Sequence, residues 1–407
     1  IIAYTYTDFF EYAGPLQSLL RDIFGWTSTK DYWFPNVRSM GGAILVMSSV
    51  LYPYVYLMTR ASFITTPISF FQTSSIYGRN SFFNVAIPFG RPGIIAGLAL
   101  VLMETISDFG TVDYFAIETL TLGVFNVWLG MNSLSGASQI SSILFMIVIV
   151  LLTLEYLGRR SRKFHEKYSG ASYTPTQTVS GVKNFLLFLI CLIPLSLGFI
   201  IPVSILLNFV IKGYSIINFI EIFQITLSSI SLAFISSSFI MLLSLLMIIV
   251  GAYKSNNFQK ILIFFASSGY AFPGTILAVG IVVFVGWLND LIYFRMSYAV
   301  GGFIILLFAY SIRFLAVGNG AITSGISRIH PNLLDASRTM GVSFFKSIRK
   351  IILPLLYTNL LVGGILVFVD ILKELPITLL LRPFNFETLA TYVYQYASDE
   401  MLSLIHI

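Results

Sequence analysis

Long apolar segments recur along the whole chain and constrain its fold more than any other feature. An α-helix needs about twenty apolar residues to cross a hydrocarbon layer about 30 Å thick. Segments with alternating polarity over about ten residues, typical of a membrane β-barrel, do not occur. The sequence therefore predicts an all-α membrane protein, a polytopic helical bundle with eight spans: Ser39–Met58, Gly93–Ser107, Ile140–Leu157, Phe185–Val210, Leu227–Ala252, Ile261–Leu288, Tyr298–Val317 and Ile351–Leu372.

The composition agrees with a location in the bilayer. Hydrophobic residues make up 57% of the chain and charged residues 10%, and the mean hydropathy of +0.86 lies outside the range of water-soluble domains. Cys191 is the only cysteine, which excludes a disulfide framework and a thiolate metal site. Pro273 and Gly274 interrupt the sixth predicted span.

The positive charge predicts the orientation of the chain. Most of its 24 Lys and Arg residues fall on one side of the predicted spans, with clusters at Arg159–Lys167 and Arg338–Lys350. Cytoplasmic loops carry such an excess, so these segments are predicted to be cytoplasmic. Because the charge is dispersed over short loops beside spans, we expect no nucleic-acid partner.

Two parts of the chain repeat each other. At an offset of 260 residues, Gly41-Gly42 corresponds to Gly301-Gly302; at 266, Pro88 corresponds to Pro354 and Gly97 to Gly363. Order and direction are kept, so the sequence predicts a tandem parallel repeat. The predicted organisation is a first half at 1–157, a cytoplasmic linker at 158–184 rich in basic residues, and a second half at 185–407.

A motif lies between the last two predicted spans. It reads Asp335-Ala336-Ser337-Arg338-Thr339-Met340-Gly341 and is followed, after nine residues, by Ile351-Ile352-Leu353-Pro354. This segment resembles the E-A-A-x3-G-x9-I-x-L-P loop of ABC-importer permeases, with only Glu replaced by Asp and one Ala by Ser. In that family the loop docks in a cleft of the ATPase subunit. A short helix from Leu333 to Met340 that ends at Gly341, where glycine accepts a left-handed cap, is the structure that we expect.

The first half carries a weaker copy of this motif. Gln72-Thr73-Ser74-Ser75-Ile76-Tyr77-Gly78 leads to Val85-Ala86-Ile87-Pro88. Gln72 replaces the acid, and the stretch from Gly78 to Pro88 is three residues shorter than that from Gly341 to Pro354. The two copies are therefore not expected to contribute equally. The predicted ATPase-coupling residues are Gln72, Thr73, Ser74, Gly78, Pro88, Asp335, Ala336, Ser337, Gly341, Ile351, Leu353 and Pro354.

No G-x-x-x-x-G-K-[ST] loop for nucleotide phosphates occurs in the sequence. The resemblance therefore implies a transport subunit that is not itself an enzyme, has no catalytic residues and no cofactor of its own. Two copies of a separate cytoplasmic ABC ATPase would bind the ATP and Mg, and a periplasmic binding protein would deliver the substrate. The implied location is the bacterial inner membrane, with linker and coupling loops cytoplasmic.

Two further segments suggest the substrate. The stretch Arg91–Gly130 and the sequence Asp31-Tyr32-Trp33-Phe34-Pro35 look like the corresponding parts of the ferric-iron permease family. Members of that family have six spans per half, which implies that this chain is incomplete at both ends. Ile1–Phe10 then reads as the end of an earlier span, and Leu402–Ile407 does not resemble the family.

Four acidic residues are candidates for a cation path. Glu104 with Asp108, and Asp370 with Glu374, are i,i+4 pairs related by the offset of 266. We expect each pair on one face of its helix near the external end, where it could attract a trivalent cation. The alternative is that these acids lie at the membrane surface, cap loops or pair with Lys373.

Other ligands for a metal are not indicated. His165, His330 and His406 are cytoplasmic or terminal, and the 22 tyrosines suit the interfacial belts of membrane proteins. No resident metal site is expected. Ferric-iron import by alternating access is the favoured function. Permeases for thiamine, a phosphonate or a polyamine share the loop motif, and an ion-coupled secondary transporter is a further alternative.

Overall fold

The structure, a computed structural model, describes residues 1–64, 66, 68–160, 181–213, 219–253, 257–292, 298–327, 329 and 332–398. This part of the chain is helical and contains no strand, which confirms the predicted all-α class. Short π-helical turns, at 82–86, 126–130, 196–200 and 348–352, join some of the helices. Most of the predicted linker, and Leu402–Ile407, lie outside the described residues.

The described part contains nineteen α-helices, numbered in chain order. They are α1 (Ile2–Phe10), α2 (Pro15–Phe24), α3 (Met40–Ile64), α4 (Ile68–Ile76), α5 (Ile87–Ser107), α6 (Gly110–Tyr114), α7 (Leu120–Phe125), α8 (Leu134–Arg160), α9 (Val182–Leu195), α10 (Ile201–Gly213), α11 (Phe219–Tyr253), α12 (Asn257–Ser268), α13 (Gly274–Ile292), α14 (Tyr298–Ile326), α15 (Asn332–Thr339), α16 (Phe344–Ser347), α17 (Leu353–Leu372), α18 (Pro376–Leu381) and α19 (Leu389–Ser398).

Seven helical segments of the described chain are long and apolar enough to cross a membrane. They are Met40–Ile64, Phe82–Ser107, Leu134–Thr153, Val182–Ile211, Phe219–Gly251, Gly302–Ile326 and Phe344–Leu372. Each overlaps one of the predicted spans. The sequence predicts the second span as a short one that begins at Gly93. In the structure this span begins at Phe82, because the π-helical turn at 82–86 continues directly into α5.

The sixth predicted span is not one straight helix. Its residues form the segments Ile261–Ala271 and Gly274–Asp290, which are bent by 119° relative to each other. Pro273 lacks a backbone N–H group and cannot continue the hydrogen-bond ladder, so the helix breaks where the sequence placed its interruption. Counted as one span, this bent helix pair brings the number to eight.

The chain divides into two compact units. Unit 1 comprises Ile1–Leu122, Ile143–Ile217 and Ala397–Ile407. Within it, α3 packs closely on α5, because a Cβ atom added to Gly97 would lie 2.6 Å from the Cα atom of Val55. Small residues at such contacts let the backbones of two helices approach each other closely in membranes.

Helices α9 and α10 also belong to unit 1. The Tyr6 hydroxyl donates a hydrogen bond to the Leu197 carbonyl, and a Cβ atom added to Gly198 would lie 2.3 Å from the Ser49 carbonyl oxygen. The sequence assigned α9 and α10 to the second half of a repeat. That assignment concerns sequence equivalence rather than contacts, and it stays a prediction.

Unit 2 comprises Gly123–Ser142 and Asn218–Tyr396. Its core is built by α11, α14 and α17, with Ile240, Leu306, Tyr310 and Leu356 fully buried. The segment at 123–142 joins this unit through Val124 and Ala137, which pack on Val279 of α13. The apolar surface buried by these contacts stabilises the unit.

The order of elements is similar in two stretches of the chain. A long helix, a short helix, a π-helical turn, a long helix and a short helix occur as α3, α4, 82–86, α5 and α6, and again as α14, α15, 348–352, α17 and α18. The second series contains the additional helix α16 between its short helix and its π-helical turn. The predicted six-span repeat goes beyond this similarity and stays a prediction.

Candidate functional site: two glycine-capped elements and two acidic corners

The predicted coupling loop of the second half begins with the short helix α15, which ends as expected at a left-handed glycine. Gly341 has a φ of +72°. The Val342 N–H group donates to the Ser337 carbonyl at 3.0 Å, and the Met340 N–H group donates to the Ala336 carbonyl at 3.1 Å. The 6→1 bond to Ser337 is the hallmark of a Schellman cap, which turns the chain sharply after a helix.

A serine pair joins the two sides of this turn. The hydroxyls of Ser337 and Ser347 are 2.9 Å apart, and both residues are buried. Ser343 precedes α16, and its carbonyl accepts a bond from the Ser347 N–H group at 2.9 Å. Residues 332–352 therefore form a compact helix–turn–helix, which we name the second coupling element.

The surface of the second coupling element carries large apolar side chains. Met340 and Phe345 are each 81% exposed, whereas Ile352 is buried at the base of the element. Leu353 and Pro354 begin α17 directly after the π-helical turn at 348–352. The side chains of Asp335 and Arg338 lie outside the described part of the structure.

Unit 1 contains a similar turn. Helix α4 ends near Gly78, which has a φ of +62°. The Arg79 N–H group donates to the Ser74 carbonyl at 3.0 Å, and the Gly78 N–H group donates to the Ser75 carbonyl at 3.1 Å. These are the two bonds of a Schellman cap. We name residues 68–88 the first coupling element.

The first coupling element has fewer internal bonds between its two sides. Ser74 occupies the place of Ser337, and its hydroxyl donates to the Arg79 carbonyl at 3.1 Å, within the cap itself. No helix corresponds to α16, because the segment is three residues shorter. Gln72 and Thr73 are exposed, as are Ile76 and Tyr77, at 82% and 75%.

The first acidic pair does not lie on one helical face, and that expectation is wrong. Helix α5 ends at Ser107, and Asp108 has extended backbone angles. The Asp108 carboxylate accepts the N–H groups of Thr111 at 3.0 Å and Val112 at 3.2 Å, at the start of α6. Asp108 therefore caps the short helix that follows, while Glu104 stays on α5 and is partly buried.

The second acidic pair is also divided by a helix end. Helix α17 ends at Leu372. Asp370 pairs with Lys373 at 3.0 Å, as the alternative interpretation stated. The Glu374 carboxylate accepts the Ile377 N–H group at 3.2 Å and caps α18. Glu374 and Asp108 thus occupy equivalent places, each between a long helix and a short one. We name the place of Asp108 the first acidic corner and that of Glu374 the second.

Glu374 is buried, whereas the other three candidate acids are partly exposed. It is 6% exposed and lies 3.5 Å from Nε of Arg313, which is 8% exposed. Arg313 lies near the middle of the span Gly302–Ile326. Glu374 follows the end of α17 that lies away from the second coupling element, as expected, whereas its burial beside Arg313 was not expected. That this end is external stays a prediction.

Three residues around this corner were not selected from the sequence as functional. Arg313 lies within the predicted span Tyr298–Val317. Tyr310 and Thr378 are buried, and their hydroxyls are 2.6 Å apart. An ionisable residue inside an apolar span is the signal that could have selected Arg313, since such residues are rare at membrane depth.

The segment with the sequence Asp31–Pro35 forms part of an ordered loop. The Asp31 carboxylate accepts the N–H groups of Thr27 at 2.9 Å and Ser28 at 2.8 Å. These bonds lower the pKa of Asp31. Tyr32 stacks on Trp26 and donates to Gln17 at 2.5 Å. Aromatic side chains of the loop line a cavity of about 320 Å³.

A resident metal site is not visible in the described part of the chain, where no group of three or more His, Cys, Asp and Glu side chains comes together. The candidate path acids Glu104, Asp108, Asp370 and Glu374 are divided between two units. Their role in a path stays a prediction.

The apolar spans and the capped elements define a multi-pass integral membrane protein. No family model matches the chain. The chain is 24% identical over 375 residues to the Fe(3+)-transport system permease protein FbpB 2 of Haemophilus influenzae. This match covers 89% of the chain and 72% of that protein. It is also 23% identical over 319 residues to the ferric transport system permease protein FbpB of Actinobacillus pleuropneumoniae. That match covers 71% of the chain and 44% of the relative.

A third relative is the molybdenum transport system permease protein ModB of Haemophilus influenzae, 28% identical over 137 residues. This match covers 31% of the chain and 59% of ModB. Together the relatives confirm the predicted resemblance to permeases of binding-protein-dependent ABC transport systems, and to those for ferric iron in particular.

Proposed function

We propose that the chain is the permease subunit of an ABC importer and moves ferric iron from a periplasmic binding protein to the cytoplasm by alternating access. The observation that carries this proposal is the similarity to a ferric-iron permease over 89% of the chain. The two coupling elements support it independently, because each presents a rigid turn with exposed apolar side chains.

We propose two copies of an ABC ATPase as the partners of these elements. Met340 and Phe345 on the second element, and Ile76 and Tyr77 on the first, are large apolar groups beside sharply turned helices. Exposed apolar groups of this kind mark protein interfaces. The chain itself performs no covalent chemistry under this proposal, since ATP and Mg are bound by the partner.

The bacterial inner membrane is the proposed location, with the coupling elements on the cytoplasmic side. The support for this orientation is the distribution of Lys and Arg, including Lys346, Arg349 and Lys350 on the second element.

Molybdate is the second candidate substrate, on the strength of the match to ModB. That match covers only 31% of the chain. A match confined to one part can reflect the shared coupling loop and its neighbouring helices rather than the substrate.

Uptake into proteoliposomes tests this proposal. The chain is reconstituted with its ATPase and binding protein, and ATP-dependent uptake of radiolabelled ferric iron is compared with that of molybdate. Iron uptake that requires both partners is expected. Molybdate uptake without iron uptake would overturn the choice of substrate, and ATP-independent uptake would indicate a secondary transporter.

The candidate path is tested separately. A variant with Glu104→Gln, Asp108→Asn and Asp370→Asn removes three carboxylates and leaves the Arg313–Glu374 pair intact. Lower iron uptake with unchanged ATPase binding is expected if the acids attract the cation. Unchanged uptake would remove these three acids from the path.

A further inference from the structure

The pair formed by Arg313 and Glu374 is a buried ion pair deep in unit 2. Its two side chains are 8% and 6% exposed. Nε and Nη1 of Arg313 form no hydrogen bond among the described residues, so the attraction to Glu374 is mainly that between the two charges.

Such a pair is a weak source of stability. Removing two charges from water costs about as much as their attraction returns, and apolar replacements of similar volume are often no less stable. Ionisable residues at membrane depth also mark functional sites more often than structural ones. A role of this pair in the transport cycle is therefore favoured over a role in folding alone.

The pair lies against the break in the bent helix pair. A Cβ atom added to Gly274 would lie 2.7 Å from Nη1 of Arg313 and 2.7 Å from Oε1 of Glu374. On the other side of the break, a Cβ atom added to Gly269 would lie 2.0 Å from the Ile312 carbonyl oxygen. Both ends of the break are thus in direct contact with α14 around Arg313.

The same corner is connected to the second coupling element by a continuous helix. The segment Phe344–Leu372 is helical over 29 residues, which corresponds to roughly 40 Å at the rise of an α-helix. One end of this segment lies in the coupling element, and the other end lies two residues before Glu374. A displacement of the coupling element would move Glu374 as well, because a helix resists bending.

We propose that the Arg313–Glu374 pair is the joint through which movement of the second coupling element reaches the break between Ala271 and Gly274. Arg313 and Glu374 are positioning residues in this mechanism: they hold the bent helix pair, α14 and the end of α17 together as one body. The role in transport rests on the proposed function, whereas the mechanical linkage is a property of the helices alone.

The experiment compares two neutralised ion pairs. Arg313→Met with Glu374→Gln removes both charges and keeps an acceptor for the Ile377 N–H group. The matched control is Arg382→Met with Glu387→Gln, which neutralises a more exposed pair in the same unit, 25% and 31% exposed. Ion pairs with access to water contribute less than buried ones. Iron uptake per ATP hydrolysed is measured in proteoliposomes with the ATPase and the binding protein.

A second measurement does not depend on the substrate. Cys191→Ser removes the native cysteine, and nitroxide labels are placed at Val283→Cys on α13 and Val369→Cys on α17, both exposed. Electron–electron double resonance then gives the distance between the labels, with and without a non-hydrolysable ATP analogue. With the joint intact, the distance is expected to stay the same; without it, the distance is expected to shift or broaden on nucleotide binding.

Each outcome decides the proposal. We expect uptake per ATP to fall about ten-fold in the doubly neutral variant, in the usual range of coupling between linked sites, and to stay unchanged in the control. Unchanged uptake per ATP together with an unchanged label distance would overturn the joint. If the doubly neutral variant does not assemble, Arg313→Gln with Glu374→Gln replaces it, because two neutral amides of similar size remove the charge attraction: normal coupling in that variant would overturn the joint, and reduced coupling would support it.

Failure of the proposed function is recognised separately. If the unaltered chain takes up no iron, the substrate assignment is wrong, and the label distances still test the linkage because they require only the ATPase and nucleotide.

Discussion

Asp108 and Glu374 follow equivalent long helices and cap equivalent short ones, yet their surroundings differ. Asp108 accepts two backbone N–H groups and the Thr111 hydroxyl. Glu374 accepts one backbone N–H group and lies beside the buried Arg313 guanidinium. The position corresponding to Arg313 at the offset of 260 is Pro53. One local function, helix capping, is therefore shared, and the second corner adds the pair with the buried Arg313.

The second coupling element also has more internal contacts than the first. Both have a Schellman cap at a glycine, but only the second has the helix α16 and a bond between two buried serines. Unit 2 thus contains both the more strongly connected element and the charged corner at the far end of the helix that leaves it. From this comparison we expect the two coupling elements to contribute unequally.

The largest expected difference concerns the two capping acids. Glu374→Gln keeps the acceptor for Ile377 but leaves Arg313 buried without its counter-charge, which typically costs about 3–5 kcal/mol. Asp108→Asn weakens the bonds to the Thr111 and Val112 N–H groups and is expected to cost about 1 kcal/mol, the value of a weakened helix cap. Unfolding in mixed detergent micelles measures both. Equal losses would show that Arg313 does not depend on Glu374.

The next comparison replaces the cap glycines. Valine at a positive φ is strained, by about 1–3 kcal/mol. A Cβ atom added to Gly341 or Gly78 would meet no atom within 4 Å beyond the neighbouring residues in the chain, so no steric clash is added. We expect Gly341→Val and Gly78→Val to destabilise their turns by similar amounts, and Gly341→Val to lower ATPase association more. Co-purification with the ATPase measures the association.

Gly280→Val is the matched control for this comparison. Gly280 is helical and exposed, and a Cβ atom added to it would meet no atom within 4 Å beyond its own helix, so it tests the side chain without the strained φ. Normal ATPase association in Gly341→Val, together with normal membrane insertion, would exclude Gly341 from the docking turn.

The sequence could predict the features that depend on neighbouring residues. The apolar spans, the break at Pro273 and the left-handed cap at Gly341 follow from length, a missing N–H group and a missing Cβ atom. The positions of the acids could not be predicted in this way. The i,i+4 argument assumed that α5 and α17 continue past Asp108 and Glu374, whereas both helices end just before these residues because each carboxylate caps the next helix. The partner of Glu374 lies 61 residues away on another helix, so only the packing of α14 on α17 brings it into contact.

A smaller effect is expected for the buried serines. Ser337→Ala removes the bond that joins α15 to α16, and Ser74→Ala removes a bond within a single cap. A hydrogen bond of this kind contributes about 1 kcal/mol. We expect Ser337→Ala to increase backbone hydrogen exchange across 344–352, and Ser74→Ala to increase exchange only near Gly78. Exchange confined to residue 341 and its neighbours in Ser337→Ala would show that the serine bond does not connect the two helices.

The smallest effect on stability is expected for substitutions at the first residue of each motif. These substitutions also test most directly whether the two coupling elements contribute unequally. Asp335→Ala and Gln72→Ala each alter one residue of a short helix, so the free energy of unfolding should change by no more than about 0.5 kcal/mol. Because the second element is the more strongly connected one, Asp335→Ala should lower substrate-stimulated ATP hydrolysis in vesicles more than Gln72→Ala does. Gln72→Glu, which gives the first copy the acid typical of the family, should leave hydrolysis unchanged or raise it. A greater loss in Gln72→Ala than in Asp335→Ala would reverse the ranking of the two elements, and would mean that the additional contacts of the second element stabilise unit 2 rather than transmit the movement of the ATPase.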